Sequence, residues 1–370
     1  MLHHMSPIRI VVFLVICALI RPGWAATPYV DVGVDSTFSS NVYLNADKEN
    51  DWINAPFLNA AVDFGETWST GYDGRFEGYL FHPDLLFHDH ELFLLSNPLF
   101  GENGEHEATA EISIETQRNR DEFTKLNLLE PTLFLEIEME PVPWLRCSLQ
   151  ETFSFQWFYE DAPSTSLTSW TQAKITFTAK TRTTAAPRFS YGMRYFPTTD
   201  NQVTSRQLDQ QIEAGIHLSQ GITEGIGLQA DYSYVHAFDD SVLVLRNLTD
   251  VAFDFIGDAF IYTGHRALLG FKTLFGERFE VGITGDFARK AYGGWPVLDD
   301  QGVPTDEERV DTELGPKAWF KYTYYPRDDA SPAAPEFSVS PHYAYRRIWS
   351  NESWYDTDRH LAGIELTLSW

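Results

Sequence analysis

The sequence predicts an all-β fold: a transmembrane antiparallel up-and-down barrel of about sixteen strands behind a cleaved signal peptide. Three observations predict it. Residues 358–370 alternate strictly, with Ala362, Ile364, Leu366 and Leu368 interleaved with Gly363, Glu365, Thr367 and Ser369 before Trp370, which is the period of a strand with one apolar face. Residues 1–26 read as a secretory signal, with Arg9 ahead of an apolar run from Ile10 to Ile20 and the small residues Gly23 and Ala25 near the cleavage point. No later segment can span as a helix: mean hydropathy is -0.27, charges interrupt every apolar stretch, and the leader's own run falls short of the roughly 20 residues a bilayer requires. A closed barrel is the remaining way to satisfy backbone N–H and C=O groups in lipid.

Taken in order, less regular strands are expected near 28–38, 53–65, 72–82, 90–100, 106–117 and 126–139. Clearer alternation follows at 144–158, 169–181, 188–197, 207–218, 225–238, 260–274, 278–290, 312–326, 335–348 and 358–370. Their number is sixteen, and an even number places both ends of the single barrel domain, 27–370, in the periplasm. Short connections at Glu140–Pro143, Thr183–Pro187, Gly276–Arg278 and Arg327–Ala334 are expected on that side. Longer ones, Asp239–Asp258 and Gly293–Asp311, are expected outside. Fourteen and eighteen strands stay open, because 239–258 contains Val242-Leu243-Val244-Leu245 and Val251-Ala252-Phe253. Aromatics mark the two membrane interfaces. Phe153, Phe155, Trp157, Tyr232, Tyr234, Tyr343 and Tyr345 are expected in the outer girdle, and Tyr322 and Tyr324 in the inner one.

Composition narrows the function classes. With the leader removed, Arg9 and Arg21 go with it, and 25 Lys plus Arg face 53 acidic residues, a net charge of about -28; nucleic acid is an improbable partner for such a chain. Cys17 lies in the leader, which leaves Cys147 alone and excludes an internal disulfide or a cysteine metal site. No cofactor is expected.

The opening Val32-Gly33-Val34-Asp35, leading to Ser40-Asn41-Val42-Tyr43-Leu44 and then Asp51-Trp52-Ile53, resembles the first strand, outer loop and second strand of the β-barrel porin 2 group of outer-membrane proteins. That group is often associated with surface polysaccharide systems. The resemblance implies the outer membrane of a Gram-negative bacterium, and no catalytic residue is carried over from it. The terminal strand ending on Trp370 resembles the signal read by the barrel-assembly machinery. Outer-membrane lipids and lipopolysaccharide are then the expected surroundings, with small hydrophilic solutes or a surface glycan as the expected cargo.

Inside a barrel the inward residues carry function. The inward acidic set is expected to include Asp31, Asp35, Asp63, Asp73, Glu77, Glu107, Glu111, Glu115, Glu130, Glu136 and Glu138, opposed only by Arg75. A basic set follows later in the chain: Arg146, Lys174, Lys180, Arg188, Arg194, Arg266, Lys272, Lys290, Lys317, Lys321 and Arg346. One acidic and one basic flank would lay a field across the lumen. The reading is a passive channel with mild cation preference; the alternative is a plugged lumen in which these charges pair with one another. Export of a surface polymer is the other transport reading, with Trp319, Phe158 and Phe196 as inward stacking surfaces.

Catalysis finds little footing. There is no Gly-x-Ser-x-Gly elbow and no His-Glu-x-x-His pair, and inward His217 and His342 are isolated. The run His88-Asp89-His90-Glu91 has acceptable metal chemistry, yet it lies where a loop meets a strand and polar residues are expected, so no metal site is assigned. Glu151 interrupts the apolar row Leu145, Cys147, Leu149, Phe153, Phe155, Trp157. A β-bulge turning it inward, or a position near the interface, is expected there.

Overall fold

The computed structural model describes residues 26–370 apart from 45, 102–103, 161–164, 198–207, 239–261, 299–302 and 326–334. The leader, except Ala26, lies outside the described residues, as do 239–258 and 327–334. Sixteen antiparallel strands form one sheet closed on itself. They are β1 (Ala26–Ser39), β2 (Asp51–Phe64), β3 (Trp68–Tyr79), β4 (Phe87–Ser96, continued at Leu99–Phe100), β5 (His106–Asn119), β6 (Leu128–Val142), β7 (Leu145–Phe158) and β8 (Ser166–Ala179). The second half comprises β9 (Thr183–Tyr195), β10 (Leu208–Thr223), β11 (Ile226–Ala237), β12 (Thr263–Phe275), β13 (Phe279–Leu298), β14 (Pro304–Tyr324), β15 (Glu336–Ser350) and β16 (Thr357–Ser369). The break in β4 falls at Asn97-Pro98, and both pieces pair with β5, so they count as one strand.

Each strand pairs with its neighbour in sequence, and β1 with β16 from Asp31↔Ser369 to Ser39↔Leu361. No edge is left to pair with another chain. The alternation decides which medium touches which face. Ile112, Leu149 and Leu269 are 57%, 56% and 67% exposed and point outward in rows of like residues, a surface that water would penalise and hydrocarbon does not. This is the fold of an outer-membrane β-barrel. Among the described residues, no helix is long and apolar enough to cross a membrane.

Seven of the connections stand at the end that holds Ala26 and Trp370, and most are tight. Gly225 and Gly276 take φ of 86° and 66° in two of them, and Arg182 takes 60° in a third, the left-handed backbone that a narrow hairpin needs. The aromatic girdles follow the strand ends. Trp157, Tyr232, Tyr234 and Tyr343 are exposed at the loop end, and Trp144, Phe275, Phe279 and Tyr324 at the other.

Several boundaries differ from those the sequence suggests. Residues 183–187 are not a turn but the start of β9; the turn is Lys180–Arg182. The expected outer loop 293–311 is mostly strand, because β13 runs to Leu298 and β14 starts at Pro304, with a register shift between Tyr292 and Pro296. Glu151 also differs. Its register is unbroken, opposite Leu135 on one side and Thr171 on the other, so no bulge turns it inward. It stays on the lipid face near mid-strand because Ser169 Oγ donates to it at 2.7 Å and Thr171 Oγ1 donates to its other oxygen, hydroxyls that replace the water a carboxylate otherwise needs.

Candidate functional site

The inward face is built by the pairing register. On β3 to β6 it brings carboxylates directly opposite one another: Asp73↔Glu91, Glu91↔Glu115, Glu115↔Glu130 and Glu107↔Glu138. Glu111, opposite Phe134, and Glu136, opposite Thr109, complete the face. Like charges placed across a ladder repel. Counter-ions are few. Arg75 bonds Glu77 at 2.8 Å, and Arg146 reaches Glu138 at 3.1 Å and Glu140 at 3.4 Å.

Asp89 and Glu91 belong to this wall and escaped the sequence reading, which had grouped them with His88 and His90 as a donor run. The strand sends the two pairs to opposite faces: Glu91 pairs inward with Asp73, while His90 bonds outward to Tyr72. The four residues therefore cannot close on one ion. The same period-two rule applied one residue earlier would have found the two carboxylates.

The opposite wall, β8 to β15, carries the cations but is not a basic surface. Arg188 holds Glu213 at 3.3 Å and Asp231 at 3.2 Å, and Arg266 also faces Glu213. Asp231 in turn meets His217 Nδ1 at 2.9 Å. Lys290 and Arg346 share Glu313 at 2.7 and 2.9 Å, Lys272 meets Glu280 at 2.8 Å, and Arg194 meets Asp209 at 3.0 Å. Among the described residues, Lys174, Lys180, Lys317 and Lys321 have no ion pair within 4 Å. Glu213, Asp231, Glu280 and Glu313 were overlooked in the sequence, although each obeys the alternation of its strand.

Of the three inward aromatics singled out, Phe158 and Phe196 are buried at 2% and 4% exposure. Trp319 donates through Nε1 to Glu280 at 3.2 Å. Near the end that holds Ala26 and Trp370, a cavity of about 680 Å³ opens between Asp31, Asp73, Asp89, Glu91, Glu336 and Glu365 on one hand and Arg75 and Lys321 on the other. Trp370, the terminal aromatic, borders it, and its backbone pairs with Val30.

At the loop end, Asp51 ties two connections together. Its fully buried carboxylate accepts the backbone N–H groups of Trp52, Leu80, Phe81 and His82 at 2.6–2.9 Å. His82 completes the latch, Nδ1 to Asp51 at 2.7 Å and Nε2 to Glu49 at 2.6 Å. Burial opposes protonation of this imidazole, but Asp51 and Glu49 outweigh it and hold its pKa above the ordinary histidine value.

No protein-family profile matches the sequence, and no curated protein sequence matches it. Solved structures do. OprB of Pseudomonas putida superposes with a TM-score of 0.53 at 10% identity, covering 93% of this chain and 94% of that one. OccK3 (OpdO) of Pseudomonas aeruginosa gives 0.48 at 13% identity over 97% and 99%, and OccD3 (OpdP) of the same species 0.46 at 11% over 94% and 91%. At 10% identity the likeness to OprB is one of fold.

Proposed function

We propose that the barrel is a passive porin-like channel for small hydrophilic solutes, selective for cations over anions. One observation carries the reading: the inward carboxylates of β3 to β6 stand largely without counter-ions, whereas the cations opposite are mostly neutralised by acids of their own wall. The net field in the lumen is then negative on one flank and close to balanced on the other. Sixteen strands enclose more width than side chains fill, so that field acts on solutes in water. Lys174, Lys317 and Lys321 temper the preference without cancelling it.

Export of a surface glycan gains less support. Two of the three aromatics that would stack on sugar rings have no free face.

Purified protein in planar bilayers is expected to give discrete conductance steps and a cation-selective reversal potential under a salt gradient. The double substitution Glu111→Gln with Glu115→Gln is expected to lower the cation-to-anion permeability ratio severalfold. Silent bilayers would remove the channel reading, and an unmoved reversal potential would remove these two residues from the selective surface.

A further inference from the structure

The outer wall repeats one arrangement three times. Tyr72 bonds His90 Nδ1 at 2.6 Å, Tyr232 bonds His265 Nδ1 at 2.8 Å, and Tyr343 bonds His360 Nδ1 at 2.7 Å. Each histidine heads an outward row that is apolar below it: Leu92 and Leu94 under His90; Ala267, Leu269 and Phe271 under His265; Ala362, Ile364, Leu366 and Leu368 under His360. The three rings therefore sit where hydrocarbon gives way to headgroups at the loop end. With Nδ1 engaged, the Nε2 edges of His90 and His265 are left for a partner beyond the tyrosine.

An outward arginine accompanies each ring. Arg118 lies opposite His88, the residue beyond His90 in the same row; Arg289 lies opposite His265; Arg347 lies opposite Asp358, beyond His360. These are the only arginines or lysines on outward positions of the described strands, and all three stand at this end. The opposite girdle, with Trp144, Phe275, Phe279 and Tyr324, has none on the outward positions of the described strands, and the cations at that end, Lys180, Arg182 and Arg278, stand in turns. Aromatic anchoring alone would serve both interfaces alike, so the added donors point to something present in one leaflet.

We infer that two of these clusters, Tyr72–His90–Arg118 and Tyr232–His265–Arg289, bind phosphoryl groups of lipid headgroups in the leaflet at the loop end. Guanidinium and imidazole N–H donors on neighbouring outward positions at headgroup depth suit a phosphate monoester. Arg289 has no ion pair with a described residue. Arg118 rests over the Tyr159 ring at 4.2 Å and meets no carboxylate of the described residues. The third cluster is already neutralised: Arg347 pairs with Asp356, and His360 lies 3.8 Å from Asp358. Its carboxylates would repel a phosphate, so the number of sites is two.

The test uses the full barrel, delipidated in detergent, with bisphosphorylated lipid A as the probe and native mass spectrometry as the readout. Two retained lipids per barrel are expected at saturation. His265→Gln with Arg289→Gln should leave one, His90→Gln with Arg118→Gln should leave one, and His360→Gln with Arg347→Gln should still leave two. Lipid A stripped of both phosphates should be retained at least tenfold less by the unaltered protein, a comparison that needs no variant to fold. Equal retention of the stripped lipid would overturn the inference, as would loss of a lipid from the third pair. Inorganic phosphate held at the same occupancy would overturn the assignment to a headgroup. Conductance of the variants should match that of the parent, so a silent channel and a failed lipid site are separable results.

Discussion

The wall formed by β3 to β6 and the wall formed by β8 to β15 differ less in which charges they carry than in whether those charges have partners. On the second, Arg188, Lys290 and Arg346 each meet a carboxylate one or two strands away. On the first, Glu91, Glu115 and Glu130 face one another. Paired charges cancel over a few ångströms and act as scaffolding; unpaired ones project into the lumen. A count of cations along the sequence would therefore misjudge the field.

The largest expected effect separates scaffold from field. Glu313 is 7% exposed and holds two cations, so Glu313→Gln removes the carboxylate that Lys290 and Arg346 share and should cost about 3–5 kcal/mol of stability, as breaking a buried pair does. Urea unfolding in detergent measures it. Glu111→Gln, at a half-buried position with no ion pair to a described residue, should, measured the same way, stay within about 0.5 kcal/mol, as substitutions away from buried pairs do. Equal losses at both positions would erase the contrast between the walls.

A smaller effect concerns the lysines that have no pair. Replacing Lys317 and Lys321 together by Gln should raise the cation-to-anion permeability ratio, by less than Glu111→Gln with Glu115→Gln lowers it. Should the lysine pair move the reversal potential further than the glutamate pair, the field would be dominated by the second wall instead.

The smallest effect lies outside the lumen, at the latch. The raised pKa of His82 means that its contribution is fully present below the ordinary histidine pKa of about 6.5 and is lost as pH rises through the higher folded value. Exchange of the Leu80, Phe81 and His82 amides should accelerate on the alkaline side beyond its intrinsic pH dependence. His82→Gln should remove that excess while the acidic wall, and with it the selectivity, stays unchanged.

Much of this was legible in the sequence, for a reason visible in particular residues. Alternation is local: Leu145, Cys147 and Leu149 declare their face without reference to any other strand, and so the strand count could be read. Strand ends were harder. Thr183-Thr184-Ala185-Ala186-Pro187 looked like a turn, yet Pro187 is accommodated because the ladder to β8 skips it while the ladder to β10 runs on at Ile216. Proline withholds a single N–H. Ion partners were hardest. Arg266 on β12 reaches Glu213 on β10, across an intervening strand, a choice fixed by the stagger between strands and by nothing in either segment alone. Glu151 shows the same limit, since the hydroxyls that hold it come from the next strand.

The seam between β1 and β16 has a bearing on biogenesis. Residues more than 300 positions apart, such as Asp31 and Ser369, must meet before the cylinder exists. The first strand to emerge during synthesis gains its second neighbour only from the last. Contacts so distant in sequence are slow to form, and until they form both strands present raw hydrogen-bonding edges. Sealing is thus an obligatory late event, and the unsealed chain must be shielded from its own kind until its final residues arrive.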